Sequence, residues 1–243
     1  MYACKVCDKE YDTIQQLGGH SISHRYDHVM LTELQRQVIL GSLLGDMSIR
    51  KDSQNPRIDV THSTRQTEYA MWKYSILKNL VSTKPRIRFR MSTFGRENDK
   101  IHEEIDFKTM TLPCLLPIHK LVRGDGKKYV SKSWLNEIVN PIGLAVWYMD
   151  DGYLGDTRHN TFQITFALGN MSFKECSILQ DWMLEQWDIS SYINSRTQCT
   201  YPDSVYYSLR FSTKPNLCKF KKLVKPYIIP SMRYKIDKLD YLS

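Results

Sequence analysis

Two apolar helices with acidic ends limit the fold of this chain more than any other feature. The first is predicted from the capping pair Thr32 and Gln35 and ends near Asp46. The second begins after the capping residue Asn140 and ends near Asp151. The two acids stand 105 positions apart, and segments of matching type follow each of them. The sequence therefore predicts two α/β halves related by a pseudo-twofold axis.

Helices and strands follow each acidic end in a similar order. The elements predicted after Asp46 are a strand at 57–62, a helix at 65–80, strands at 85–91 and 100–108, and a short helix. Those predicted after Asp151 are a strand at 161–169, a helix capped by Ser172 and Glu175, strands at 191–197 and 205–212, and a helix from Pro215. We therefore expect domains at residues 1–28, 29–138 and 139–243.

The first 28 residues contain a predicted zinc site. Cys4, Cys7, His20 and His24 have the spacing C-x2-C-x12-H-x3-H, which is typical of a tetrahedral structural zinc site. A helix that starts near Thr13 would place both histidines on one face, because residues four apart lie one turn above each other. The pattern predicts a ββα zinc finger that needs Zn²⁺ to fold.

Other side chains of this finger predict a small core and a candidate DNA-binding surface. Tyr2, Tyr11 and Leu17 would form the core. A finger that contacts DNA would do so from the start of its helix, and a finger that contacts protein is the alternative. The candidate DNA-binding residues are Thr13, Gln15 and Gln16.

Several predicted strands alternate apolar and polar side chains. Arg86, Arg88 and Arg90 alternate with Ile87 and Phe89, so three guanidinium groups share one face and the apolar side chains share the other. We expect the apolar face to pack against helices and the polar face to contact DNA, since Arg and Gln bind base edges and phosphates. The further candidate DNA-binding residues are Arg57, Thr161, Gln163, Thr165, Arg196 and Arg210.

The composition agrees with a polyanionic partner. The formal net charge is +8, with 34 basic against 26 acidic residues. The chain lacks an apolar run of the roughly 18 residues that span a bilayer, and of its six cysteines only Cys4 and Cys7 are close together. We expect a soluble intracellular protein without a membrane partner, in a bacterial or phage-infected cytoplasm or in an organelle.

The acidic helix ends predict a metal site. The C-terminus of a helix carries partial negative charge, so an acid placed there is unfavourable unless a cation is present. Gly41 and Gly45 give the first helix a smooth stripe for close approach, and Ala145 could serve on the second. Two such ends that meet would bind divalent cations, whereas unrelated surface acids are the alternative.

Here the sequence resembles a known family. Residues 39–46 (ILGSLLGD) and 144–152 (LAVWYMDDG) resemble the two copies of the LAGLIDADG motif, and the tail at 223–230 is also similar. The chain from about Leu31 onward resembles the monomeric, two-motif, I-SceI-like homing endonucleases. It departs from the consensus at Leu44, Met47 and Val146. The resemblance implies a pair of αββαββα repeats with DNA-binding antiparallel sheets.

This resemblance also implies an activity and its residues. In the family the last acid of each motif binds the catalytic metals, which implies Asp46 and Asp151 with Mg²⁺. Lys128 and Lys235 fall where each half carries a basic residue near the active site, and Lys127 is the alternative to Lys128. The implied function is a double-strand break at a long asymmetric DNA site, which promotes homing of the coding element. We expect a monomer on double-stranded DNA.

Two other functions remain open at this point. An intron RNA maturase on the same fold would bind structured RNA and need neither acid. A non-catalytic DNA-binding regulator would bind DNA without cutting it.

Overall fold

The computed structural model describes residues 1–91, 101–123, 126–157, 161–169, 171–198 and 201–242. Lys100, predicted at the start of a strand, lies outside these residues. Mixed helices and antiparallel sheets form two similar units behind a small N-terminal finger, as predicted. None of the described helices is long and apolar enough to cross a bilayer.

The finger consists of two short strands and one helix. Its elements are β1 (Tyr2–Ala3), β2 (Glu10–Tyr11) and α1 (Ile14–Ser21), followed by a 3-10 turn (Ile22–His24). β1 and β2 pair antiparallel, with Tyr2 opposite Tyr11. Tyr2 is 46% exposed, and none of the α1 residues is buried, so the predicted core is thin. An element this small needs an additional source of folding energy.

The two halves repeat the order αββαββα. The first half contains α2 (Glu33–Leu44), β3 (Ser48–Arg50), β4 (Arg57–Ser63), α3 (Thr67–Leu77), β5 (Arg86–Met91), β6 (Ile101–Lys108), α4 (Leu116–Val122) and the short α5 (Lys132–Leu135). The second half contains α6 (Pro141–Asp151), β7 (Gly152–Thr157), β8 (Thr161–Ala167), α7 (Phe173–Trp187), β9 (Tyr192–Gln198), β10 (Tyr201–Phe211) and α8 (Lys214–Val224). The capping boxes predicted at Thr32 and Ser172 are both present.

Each half contains a four-stranded antiparallel sheet of the same topology. The strand orders are β3-β4-β6-β5 and β7-β8-β10-β9. The short strands β3 and β7 directly follow the acidic helix ends, and they pair in the same way, Ser48 with Asp59 and Tyr153 with Thr165. The residues two positions beyond Asp46 and Asp151 therefore have equivalent places in the two sheets, which supports the pseudo-twofold relation.

Helices α2 and α6 pack closely at the centre of the molecule. A Cβ atom added to Gly41 would lie 2.1 Å from the backbone oxygen of Gly143, and one added to Gly45 would lie 2.5 Å from the Cβ atom of Asp150. The predicted small-residue stripe on α2 is therefore used. The α6 residue that faces Gly41 is Gly143, whereas the sequence had suggested Ala145.

The prediction that the apolar face of β5 packs against helices is wrong. Ile87 is 61% exposed and Phe89 is 70% exposed. β5 is the edge strand of its sheet, and α3 packs on the inner strands β4 and β6. In the second half the prediction is confirmed for Ile164 and Phe166 of β8, which are both fully buried.

Candidate functional site

Asp46 and Asp151 lie at the ends of the two central helices. α2 ends at Leu44, the N–H of its C-cap residue Gly45 donates to the carbonyl of Ser42, and Asp46 follows at once. Asp151 is the last residue of α6. Because α2 and α6 pack side by side, their C-terminal ends and both acids meet beside the two sheets. Helix C-termini repel carboxylates, so this position favours a bound cation.

The charges at these ends interact strongly. Burial and the charge of Asp150 together raise the pKa of Asp46 to about 6, against the opposing effect of Lys73. Burial likewise raises the pKa of Asp151 to about 7, with added repulsion from Asp46 and Asp150. These carboxyl groups therefore lie close enough to disfavour each other's ionisation, and a divalent cation between them would reverse that effect.

Both predicted lysines lie beside the acids. Burial lowers the pKa of Lys128 and of Lys235, whereas the charges of Asp46 and Asp151 raise both. Lys128 lines a cavity together with Asp151. Lys235 is 8% exposed, and its Nζ donates to the carbonyl of Met149 at 2.6 Å, near the end of α6. The structure thus brings the four predicted catalytic residues together.

A buried polar network supports this site, and the sequence did not predict it. The Nζ atom of Lys73 lies 2.6 Å from Ser42 Oγ, 2.7 Å from Asp150 Oδ1 and 3.1 Å from His62 Nε2. An ammonium group has three donors, so all of them are satisfied. Ser42 Oγ also donates to Asp150 Oδ2 at 2.6 Å. Lys73 stands one turn from the buried residues Tyr69 and Leu77 on α3, the one signal in the sequence that it faces inward.

This network holds the side chain of Asp150 in place, because Ser42 and Lys73 both donate to its carboxylate. The side chains of Asp150 and Lys73 are both fully buried. Atoms of Asp46, His62 and Asp150 lie within 4.8 Å of one another, a spacing that suits a metal ion. The Lys73 ammonium already pairs with Asp150 at 2.7 Å and compensates its negative charge.

The polar face of the first sheet adjoins Asp46. A groove lined by Asp46, Arg88 and Arg90 runs over this face. Arginines of this sheet pair with acids on the same sheet: Arg88 Nε lies 2.7 Å from Asp106 Oδ1, and Arg57 Nε lies 3.1 Å from Asp59 Oδ1. These contacts hold the guanidinium groups in place and reduce the positive charge that the sequence suggested. Arg86 Nε also pairs with Asp106 Oδ1, at 3.4 Å, whereas Arg90 Nη1 lies 3.9 Å from Glu104 Oε1.

The second sheet presents fewer of its predicted residues. Thr161 and Arg196 are exposed. Gln163 Nε2 donates to Tyr192 Oη at 2.7 Å, and Arg210 Nε donates to Ser208 Oγ at 2.9 Å. The remaining candidate, Thr165, is only 2% exposed, which leaves little of its side chain for a direct contact with DNA.

The four predicted zinc ligands converge in the finger. The ligand atoms of Cys4, Cys7, His20 and His24 all lie within 4.8 Å of one another. The N–H of Val6 donates to Cys4 Sγ at 3.5 Å and lowers the pKa of that thiol, which favours the thiolate that binds metal. This donor set fits a structural Zn²⁺ ion.

Asp27 is an additional residue of the zinc site. Its Oδ2 atom lies 2.6 Å from His24 Nδ1, and the other ring nitrogen of His24, Nε2, faces the ligand cluster. Carboxylates commonly orient zinc-binding histidines in this way. The only sign of this contact in the sequence is that Asp27 lies three residues after His24.

Helix α1 starts after Thr13, as predicted, and two of the candidate DNA-binding residues also cap it. Thr13 Oγ1 accepts from the N–H of Gln16, and Gln16 Oε1 accepts from the N–H of Thr13, which forms a capping box. Both side chains are therefore engaged in helix capping, although they remain exposed. Gln15 is exposed on the same turn.

We expect that removal of Zn²⁺ unfolds the finger and leaves the two halves folded. The finger has a thin core and depends on the metal, whereas the halves share a large buried core. Elemental analysis should give one zinc per chain for the native protein and none for Cys7→Ser. Limited proteolysis should then cut Cys7→Ser within residues 1–28, while the matched variant Cys218→Ser resists. Equal resistance of both variants would contradict a metal-dependent finger.

Comparisons with known proteins agree with this arrangement. The profile of the LAGLIDADG DNA endonuclease family matches residues 36–216, and that of the C2H2-type zinc finger matches residues 1–26. In overall fold the chain is similar to the homing endonuclease I-WcaI bound to its DNA recognition sequence. The TM-score is 0.74 over 95% of both chains at 17% identity, which shows a shared fold.

Curated relatives come from two kinds of protein. The chain is 33% identical over 229 residues to Protein RecA of Mycolicibacterium flavescens, covering 86% of this chain and 49% of that protein. It is 28% identical over 237 residues to Cytochrome b mRNA maturase bI2 of Debaryomyces hansenii, covering 96% of this chain and 80% of that protein. The chain spans about half the length of the RecA relatives. With both motifs inside the matched residues, this chain belongs to the LAGLIDADG DNA endonuclease family and carries an N-terminal C2H2-type zinc finger.

Proposed function

We propose that the protein is a site-specific endonuclease that makes a double-strand break in DNA with Mg²⁺ and promotes homing of its own coding element. One observation carries the proposal: Asp46 and Asp151 stand at the C-terminal ends of two closely packed helices, where the charge of Asp150 raises the pKa of both acids. Carboxylates crowded in this way gain from a divalent cation, and hard oxygen ligands suit Mg²⁺.

The residues of the site have distinct roles in this proposal. Asp46 and Asp151 would hold the metal, which when bound makes water more acidic and stabilises the leaving oxygen of a phosphodiester. Lys128 and Lys235 place positive charge next to both acids, where negative charge develops on the phosphate. The burial of Lys235 and its bond to a helix carbonyl keep its ammonium group fixed.

The pseudo-twofold axis suggests how both strands are cut. The strands of a DNA duplex are related by local twofold axes, so a protein with matching symmetry offers one half to each strand. Asp46 adjoins the groove of the first sheet, and Asp151 lines the cavity with Lys128. We propose that each acid serves mainly one scissile phosphate, that the chain acts as a monomer, and that the finger adds a further DNA contact.

The test is a cleavage assay with DNA from the coding locus from which the element has been removed. The native protein should convert a supercoiled plasmid with this site into one linear product when Mg²⁺ is added. Binding without cutting at any Mg²⁺ concentration would favour a DNA-binding regulator.

The maturase alternative rests on the similarity to a Cytochrome b mRNA maturase over 96% of this chain. In that case the protein would bind the intron RNA tightly, and loss of both Asp46 and Asp151 would leave RNA binding unchanged. Competition between labelled DNA and intron RNA separates the two functions. Retained Mg²⁺-dependent DNA cutting would support the endonuclease whatever the RNA affinity.

We expect Arg90→Ala to weaken DNA binding about tenfold at low salt and to reduce the salt slope of binding by about 1. Arg90 lines the groove with a well-exposed side chain, and its Nη1 atom lies 3.9 Å from Glu104 Oε1. Filter binding at several salt concentrations measures both effects. The control is Lys174→Ala, an exposed residue on the outer helix α7, which should change neither. Equal effects of the two variants would argue against DNA contact by this sheet face.

A further inference from the structure

The two acids stand in different surroundings, although the halves around them are similar. Ser42 and Trp147 occupy equivalent positions, because each lies four residues before its motif acid, Asp46 or Asp151. Lys73 and Trp182 are also equivalent, because each lies ten residues after a capping serine, Ser63 or Ser172. Asp59 and Thr165 are equivalent, because they pair with Ser48 and Tyr153. His62 and Leu168 each lie three residues further along the chain, so they are equivalent too. A polar network in the first half thus takes the place of an apolar cluster in the second.

The apolar cluster consists of large rings. The ring centroids of Trp147 and Phe166 are 4.1 Å apart, and those of Trp147 and Trp182 are 6.2 Å apart. Leu168 is 2% exposed. Such a cluster stabilises its half by burial and gives no polar contact to Asp151.

The polar network instead reaches Asp46 at two points. His62 Nδ1 lies 3.5 Å from Asp46 Oδ2, and the backbone N–H of Asp46 donates to Asp150 Oδ2 at 3.4 Å. Lys73 holds both His62 and Asp150 through its buried ammonium group. Since Lys73 donates to His62 Nε2, the ring proton is on Nδ1, which faces Gln66 Oε1 and Asp46.

We propose that Lys73 is a positioning residue for the Asp46 half of the site, and that its loss slows cutting of one DNA strand more than the other. The inference rests on the proposed function, in which each acid serves mainly one strand. Lys73 does not touch the reacting atoms. It acts through His62 and Asp150, which fix the carboxylate and the backbone of Asp46.

The test follows both strands of one duplex that carries the target site, each labelled at its 5′ end with a different dye. The ratio of the two cutting rates does not depend on how much of the protein is folded, so a purely structural loss leaves it unchanged. We expect Lys73→Met to shift this ratio at least tenfold. On a supercoiled plasmid that carries the same site, this variant should accumulate the nicked form. Binding in Ca²⁺ should stay within threefold of the native protein.

A second pair of variants decides the matter if Lys73→Met does not fold. His62→Leu introduces the residue type found at the equivalent position, and His62→Gln keeps an acceptor for Lys73 and a donor toward Asp46. We expect His62→Leu to slow the same strand and His62→Gln to restore the native ratio to within threefold. Equal slowing of both strands in every variant would overturn the inference. A native protein that cuts neither strand at any Mg²⁺ concentration would instead refute the proposed function.

Discussion

Asp46→Asn and Asp151→Asn are each expected to keep DNA binding and to lose double-strand cutting by about 10³-fold or more. An amide has almost the same shape as a carboxylate but lacks the charge that holds a divalent cation. The metal contributes several kcal/mol to stabilisation of the transition state, and each 1.36 kcal/mol changes the rate tenfold. Rates of linear product formation and affinities in Ca²⁺ measure the two effects.

The matched control for these variants is Asp181→Asn. Asp181 is exposed on the outer helix α7, so the same chemical change there should leave cutting and binding unchanged. Binding should even strengthen slightly in Asp46→Asn and Asp151→Asn, because a negative charge near the DNA phosphates is removed. Cutting at native rates by either variant would exclude that acid as a metal ligand.

Gly41→Ala is expected to lower the free energy of unfolding by about 3 kcal/mol or more, since added volume in a close-packed core typically costs 1–3 kcal/mol and occasionally more. The new methyl group would stand 2.1 Å from the Gly143 backbone oxygen, where no side chain can rotate away. Helices α2 and α6 would have to separate, and Asp46 and Asp151 with them. Cutting should therefore fall even at temperatures where the variant is still folded.

Urea unfolding of the variant and of Gly155→Ala measures this effect. A methyl group at Gly155 would meet its nearest atoms at 3.8 Å, an ordinary contact, so this control should change stability little. Gly143→Ala is intermediate, because its new methyl group would first meet the Ile138 side chain, which can move. Equal stability of Gly41→Ala and Gly155→Ala would show that α2 and α6 do not pack as described.

The sequence predicted the parts of the site that depend on local patterns. Capping residues such as Thr32 and Asn140 set the starts of the two central helices, and Asp46 and Asp151 follow from where those helices end. The zinc ligands Cys4 and His20 were likewise fixed by spacing, because a metal requires a set geometry. Local signals were enough here because each feature lies within a short stretch of the chain.

Features that depend on contacts between distant elements were not predictable in this way. Gly41 contacts Gly143, which is 102 positions away on another helix. Lys73 likewise binds Asp150, which is 77 positions away. Whether Thr165 is buried depends on how neighbouring strands cover it, and whether Phe89 is exposed depends on its place at the sheet edge. Alternation along a strand assigns a side chain to a face, and the packing of other elements then decides what covers that face.

The most direct test of the central proposal compares the native protein with Asp151→Asn on one DNA substrate, with and without Mg²⁺. The substrate is DNA from the coding locus without the element. We predict one discrete double-strand cut by the native protein, only with Mg²⁺ and prevented by chelation, and no cut by Asp151→Asn, which should bind at least as tightly. Equal cutting by both proteins, or cutting by the native protein without a divalent cation, would contradict a metal site at the joined helix ends.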